Sequence, residues 1–91
     1  MVYLAGKISG VPDYFEKFAA AANKLRLEGH SIYNPAAANL ESLPLPQIMA
    51  HNLAQLCEVE AIALMPCWRG SDGAKIEWSL AKYLGKTIIY L

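Results

Sequence analysis

Ninety-one residues allow one core, and the chain reads as a single domain over 1–91. Eight basic residues balance eight acidic ones, so no general electrostatic pull draws the chain to a nucleic acid polymer or an anionic membrane surface. No stretch is long and apolar enough to span a bilayer, and Met1 leads into an apolar run with no basic flank or cleavage site, so no signal peptide is expected.

Val2-Tyr3-Leu4-Ala5 is a short apolar run ending at Gly6, the pattern of a buried strand. Lys7 to Pro12 is a loop. Asp13 stands three residues before Glu16, a carboxylate variant of the capping box. Phe15, Phe18, Ala19, Ala22 and Leu25 then recur at helical spacing. Lys24 and Arg26 sit near the negative end of that helix, and Gly29 is its stop. Ser31-Ile32-Tyr33 is a second strand, closed by Asn34-Pro35. The segment from Ala36 to Leu45 follows neither period and reads as a long loop, a form that often carries function.

Pro46 opens the next helix, on which Met49, Leu53 and Leu56 form an apolar stripe. Ala61 to Met65 is a continuous apolar run ended by Pro66, and Cys67 to Asp72 is a polar loop. Gly73 to Leu84 is a third helix with Gly85 as its stop, and Thr87 to Leu91 is the last strand. The order is βαβαβαβ. Its strands are continuous rather than alternating apolar runs, as expected for a parallel sheet covered on both faces. Right-handed crossovers then give a flavodoxin-like three-layer α/β fold with about four strands. In such a sheet a ligand lies outside the carboxyl ends of the strands. There the loops Gly6–Pro12, Asn34–Leu45 and Pro66–Asp72 converge.

Within the third helix Ala74, Trp78, Ala81 and Leu84 form the apolar stripe that Glu77 borders. On spacing alone Glu77 reads first as a helix-start glutamate on the rim of the core, favoured by the macrodipole, and second as a nucleophile or base. Gly6-Lys7-Ile8-Ser9-Gly10 offers backbone N–H groups and a hydroxyl to a phosphate, but it is neither a Walker A motif nor GxGxxG. Ser71 or Asp72 caps the third helix, whose N-terminus can also face an anion or a sugar hydroxyl. Arg69 reads as a phosphate clamp or a solvated side chain. Trp68, in a loop, suggests stacking on a base or burial in an interface, whereas Trp78 reads as core. Two histidines, His30 in a turn and His51 on a helix surface, and no clustered acids give no metal site, and no cofactor is expected. Cys57 and Cys67 have no disulfide or metal spacing and read as reduced thiols of a cytosolic protein. The 55% hydrophobic content in so short a chain points to a face hidden in a homodimer or larger homo-oligomer.

Val2-Tyr3-Leu4-Ala5-Gly6, Tyr33-Asn34-Pro35 and Pro66 through Glu77 together resemble the nucleoside 2-deoxyribosyltransferase-like superfamily, in particular its short branch common in phages and prophages. The resemblance implies a glycosidic chemistry with Glu77 as nucleophile and Tyr3 as its hydrogen-bond partner. It also implies that Ser71 contacts the sugar or a phosphate, and that Gly6, Lys7, Ser9 and Gly10 hold a 5′-phosphate. Asn52 stands where the superfamily carries an aspartate against the sugar. Trp68, Arg69, Asp72 and Gly73 fall on the same ligand-facing segment, with Asp72 a candidate general acid. The implied activity is N-glycosidic bond cleavage or transfer on (deoxy)nucleosides or nucleoside 5′-monophosphates, as hydrolase or transferase. The alternative is a nucleotide-binding module that uses the same pocket without turnover. It is favoured by Asn52 and by the lack of the C-terminal extension that completes a neighbour's pocket in the superfamily's enzymes.

Overall fold

The computed structural model describes residues 1–91. Four strands, β1 (Val2–Ala5), β2 (Ile32–Tyr33), β3 (Ala61–Leu64) and β4 (Thr87–Tyr90), alternate with three helices, α1 (Tyr14–Leu27), α2 (Leu45–Glu58) and α3 (Asp72–Tyr83). All strand pairs are parallel, and the order across the sheet is β2-β1-β3-β4. This is a small flavodoxin-like three-layer fold. None of its helices is long and apolar enough to cross a membrane.

Side chains alternate across the pleat, so each central strand feeds two cores. Val2 and Leu4 of β1 and Ala61 and Ala63 of β3 pack with Phe18, Ala22 and Leu25 of α1 on one face. Tyr3, Ala5, Ile62 and Leu64 pack with Leu56 of α2 and with Ala74 and Ala81 of α3 on the other. Every residue of β1 and β3 is buried, which explains their unbroken apolar runs.

Glycine ends two of the helices as the sequence implies. Gly29 has φ +98° and Gly85 φ +72°. At the first, His30 N–H donates to the Leu25 carbonyl and Gly29 N–H to that of Arg26. This is the paired arrangement that satisfies the last carbonyls of a helix. The same pattern joins Lys86 to Ala81 and Gly85 to Lys82.

Several local expectations are corrected. Asp13 is positioned as the N-cap of α1 but makes no side-chain cap bond; its carboxylate pairs with Lys17 at 3.7 Å instead. Phe15 turns outward and is 53% exposed, so the buried stripe of α1 is Phe18, Ala22 and Leu25. Leu84 lies past the end of α3 and is exposed, and Trp78 is only half-buried, so the buried face of that helix is Ala74, Glu77 and Ala81. The long loop after β2 begins with a 3-10 turn, Pro35–Ala37, whose start is held by Asn34 Oδ1 accepting from the Ala36 N–H at 3.0 Å.

Candidate active site

The connections after β1, β2 and β3 enclose a cavity of about 790 Å³ at the carboxyl ends of the strands. Its wall includes Gly6, Lys7, Ser9 and Gly10 after β1, Leu40 and Glu41 after β2, and Ser71, Asp72, Gly73 and Glu77 from α3. Met49 and Asn52 on α2 close another side. All three loops expected to converge do so.

Glu77 lies in the second turn of α3, on the same face as Ala74 and Ala81, and is only 6% exposed. The helix is brought to this register by its cap. Ser71 Oγ accepts from the Ala74 N–H at 3.1 Å, satisfying a donor left free in the first turn. On the sheet side, Tyr3 is fully buried, and its hydroxyl donates to Glu77 Oε2 at 2.5 Å. No lysine, arginine or histidine forms an ion pair with Glu77. Burial without a cation raises its carboxyl to about 7, although the hydrogen bond from Tyr3 works in the opposite direction. Burial, the Glu77 charge and that same hydrogen bond push the Tyr3 hydroxyl far above the ordinary phenol range. The proton therefore stays on Tyr3, and the carboxylate accepts.

Asn52 is the second buried polar side chain of the chain, 7% exposed, in the middle of α2. Its Oδ1 accepts from the Tyr33 hydroxyl at 3.4 Å. Tyr33 stands beside Tyr3 in register on the neighbouring strand, with ring centroids 5.4 Å apart. Burial, then the Glu77 charge, also raises the Tyr33 hydroxyl.

Of the residues singled out in the sequence, Gly6, Lys7, Ser9, Gly10, Asn52, Ser71, Asp72, Gly73 and Glu77 line the cavity, and Tyr3 stands behind Glu77. Trp68 and Arg69 do not line it. Trp68 is 7% exposed within the core on the α2–α3 face, against Trp78 at 5.2 Å between ring centroids. It packs in the core beside α3 and does not face the cavity. Arg69 lies over the Trp68 ring, 5.0 Å from its centroid, outside the cavity wall. Trp78 is half-buried, and its Nε1–H donates to the Tyr90 hydroxyl at 3.3 Å. Cys57 is exposed at the end of α2. Cys67 Sγ accepts from the Lys7 N–H at 3.3 Å and so ties the loop after β1 to the loop after β3.

Tyr33 escaped the sequence reading as a site residue. Its signal was its place at the end of a strand directly before Asn34-Pro35, one strand over from Tyr3. Glu41 and Met49 also line the cavity, one from an aperiodic loop and one from an ordinary apolar stripe, and neither stands out in the sequence. No cluster of three His, Cys, Asp or Glu side chains is present that would hold a metal ion.

The arrangement places a carboxylate at the wall of a largely apolar cavity, with a phenol fixing one oxygen. Such a group can act as a nucleophile when ionised and as an acid when protonated. No curated protein and no solved structure matches the sequence. Residues 1–90 match the family model described as a domain of unknown function, DUF4406, and the chain belongs to that family.

Proposed function

We propose that this protein breaks or transfers the N-glycosidic bond of (deoxy)nucleosides or nucleoside 5′-monophosphates through a covalent sugar intermediate on Glu77. The observation that carries the reading is the Tyr3–Glu77 pair: a buried carboxylate on a cavity wall, one oxygen held by a phenol, with no cation beside it. A carboxylate beneath an anomeric carbon stabilises an oxocarbenium-like transition state and can then bond to it. One Glu77 oxygen forms a bond to C1′ as the C1′–N bond breaks. The electron pair leaves with the base, which takes up a proton. Water, in a hydrolase, or a second base, in a transferase, then attacks C1′ as the ester bond to Glu77 breaks, and the proton of the attacking group passes to solvent or to the freed carboxylate. Tyr3 orients the carboxylate through both steps. Ser71, Asn52 and the Lys7–Gly10 loop are positioned to hold the sugar and any phosphate. The resemblance to the nucleoside 2-deoxyribosyltransferase-like superfamily supports the same reading, and we extend it to a homo-oligomer in the cytosol.

A binding module without turnover is the second reading. Two observations favour it: Asn52 stands where the superfamily carries an aspartate, and the Glu77 carboxyl near 7 is only partly ionised at neutral pH. Incubation with deoxynucleosides and their 5′-monophosphates, followed by chromatography for free base, separates the two. The glycosidic reading expects base release that Glu77→Gln lowers by at least about a hundredfold. It also expects a mass adduct on Glu77 with a slow 2-fluoro sugar substrate. Equal release by wild type and Glu77→Gln sinks the nucleophile assignment. Ligand binding with no release supports the binding module.

A further inference from the structure

Two tyrosines in register on adjacent strands each hold one polar side chain of the cavity wall. Tyr3 on β1 donates to Glu77 on α3, and Tyr33 on β2 donates to Asn52 on α2. An amide has one acceptor and two donors. With Oδ1 facing the Tyr33 hydroxyl, the Asn52 NH2 group makes no hydrogen bond within the chain. Yet no fully buried side-chain nitrogen or oxygen lacks a partner. The NH2 group therefore keeps accessible surface, and the accessible side of Asn52 is the cavity. The same reasoning leaves Glu77 Oε1 facing the cavity, since only Oε2 is bonded. The cavity thus presents an acceptor oxygen at Glu77 and a donor NH2 group at Asn52, their supporting rings 5.4 Å apart.

We propose that Tyr33 is a positioning residue: it turns the Asn52 amide so that its NH2 group donates to the ring hydroxyl of a 2-deoxyribosyl ligand, the 3′-hydroxyl. The proposal rests on the glycosidic reading of the same site. A 2-deoxyribose carries a single hydroxyl directly on its ring, across the ring from the carbon Glu77 attacks. A donor that the bound sugar covers without offering an acceptor is left unsatisfied, so the site discriminates against a sugar without that oxygen. In Tyr33→Phe the stacked ring remains but the amide loses the donor that fixes it, and either end can then face the cavity.

The test is calorimetric binding in a Glu77→Gln background, which leaves the sugar intact, using the four common 2′-deoxynucleosides with their 3′-deoxy and 5′-deoxy counterparts. Removing the 3′-hydroxyl should weaken binding to the parent about tenfold. Tyr33→Phe should cut that ratio to about threefold or less, and Asn52→Ala should bring it near one, with the 5′-hydroxyl dependence unchanged in both. General loosening would lower both dependences together. In the active chain the same substitutions should raise KM more than they lower kcat. A tenfold ratio that persists in Tyr33→Phe and Asn52→Ala overturns the proposal while base release by wild type leaves the glycosidic reading standing. A ratio that collapses as expected, with no base release by wild type, supports Tyr33 and Asn52 and removes the glycosidase. No binding of any of these nucleosides or of their 5′-monophosphates overturns both.

Discussion

Glu77 is the residue on which stability and the proposed function conflict. Its carboxyl is raised to about 7 in the folded chain from 4.5, so between those values the folded state holds a proton that the unfolded state has lost. Stability from this group is fully present below about pH 4.5, falls as pH rises toward 7, and levels off above. The full fall is on the order of 3 kcal/mol. Glu77→Gln removes the ionisation but keeps an oxygen for the Tyr3 hydroxyl. Urea unfolding should therefore find the variant close to wild type at pH 4 and more stable by about that amount at pH 8. Equal stability at both values would show that Glu77 is not desolvated. On the proposed glycosidic reading the nucleophile must be ionised, so base release should rise with pH, with a midpoint near 7. Tyr3→Phe removes the hydrogen bond that holds the carboxyl down. It should move this midpoint upward and slow release less than Glu77→Gln does. A midpoint that stays in place would mean that Tyr3 does not orient the nucleophile.

At the scale of the element, the site depends on where α3 begins and on how closely β1 can pass its neighbours. Ser71 caps α3 through the Ala74 N–H, and Ser71→Ala should cost about 1 kcal/mol in thermal or chemical unfolding. Ser71→Asp should restore most of it, and no change in either variant would deny the cap. Gly6 follows β1, where an added Cβ would lie 2.8 Å from Met65 Sδ and 3.2 Å from Phe18 Cζ. Gly6→Ala should destabilise by about 1–3 kcal/mol through overpacking and displace the Lys7–Gly10 loop, with a lower melting temperature as the measure. The elements themselves were legible in the sequence because apolar runs, glycine stops and Pro46 each act locally. The Glu77 stripe and the three loops followed from period and topology. Trp68 and Arg69 were not legible as packing residues. A loop position does not reveal that the next helix folds back over it, and a cation beside a tryptophan reads the same in sequence whether it stacks or clamps. Tyr33 was hidden for a related reason, since strand register across β1 and β2 is a tertiary fact. The capping box failed because Asp13 holds φ −101° and ψ 26° rather than the extended backbone from which a cap side chain reaches the first-turn N–H groups.

Over the whole molecule, apolar side chains remain on the surface in several places: Leu27, Leu45, Ile76, Tyr83 and Tyr90 are all more than half exposed. In a chain with 55% hydrophobic residues this should favour self-association. Light scattering at micromolar concentration should give more than the 10.0 kDa of one chain; a value at that mass would count against it. The strand order has a further consequence, for the order of synthesis. β1 leaves the ribosome before the other strands, yet it is a central strand, and its long partner β3 lies some sixty residues later. Until residue 64 emerges, β1 has only the two residues of β2 to pair with. Its open side is then an unpaired, wholly apolar edge. Tyr3 meets Glu77 later still, 74 residues along the chain. The candidate site therefore cannot exist in any nascent fragment, and folding waits for long-range pairing. A fragment ending at residue 60 should be unfolded or aggregated by circular dichroism and scattering. Should it fold, β1 would have found a partner that the finished protein does not use.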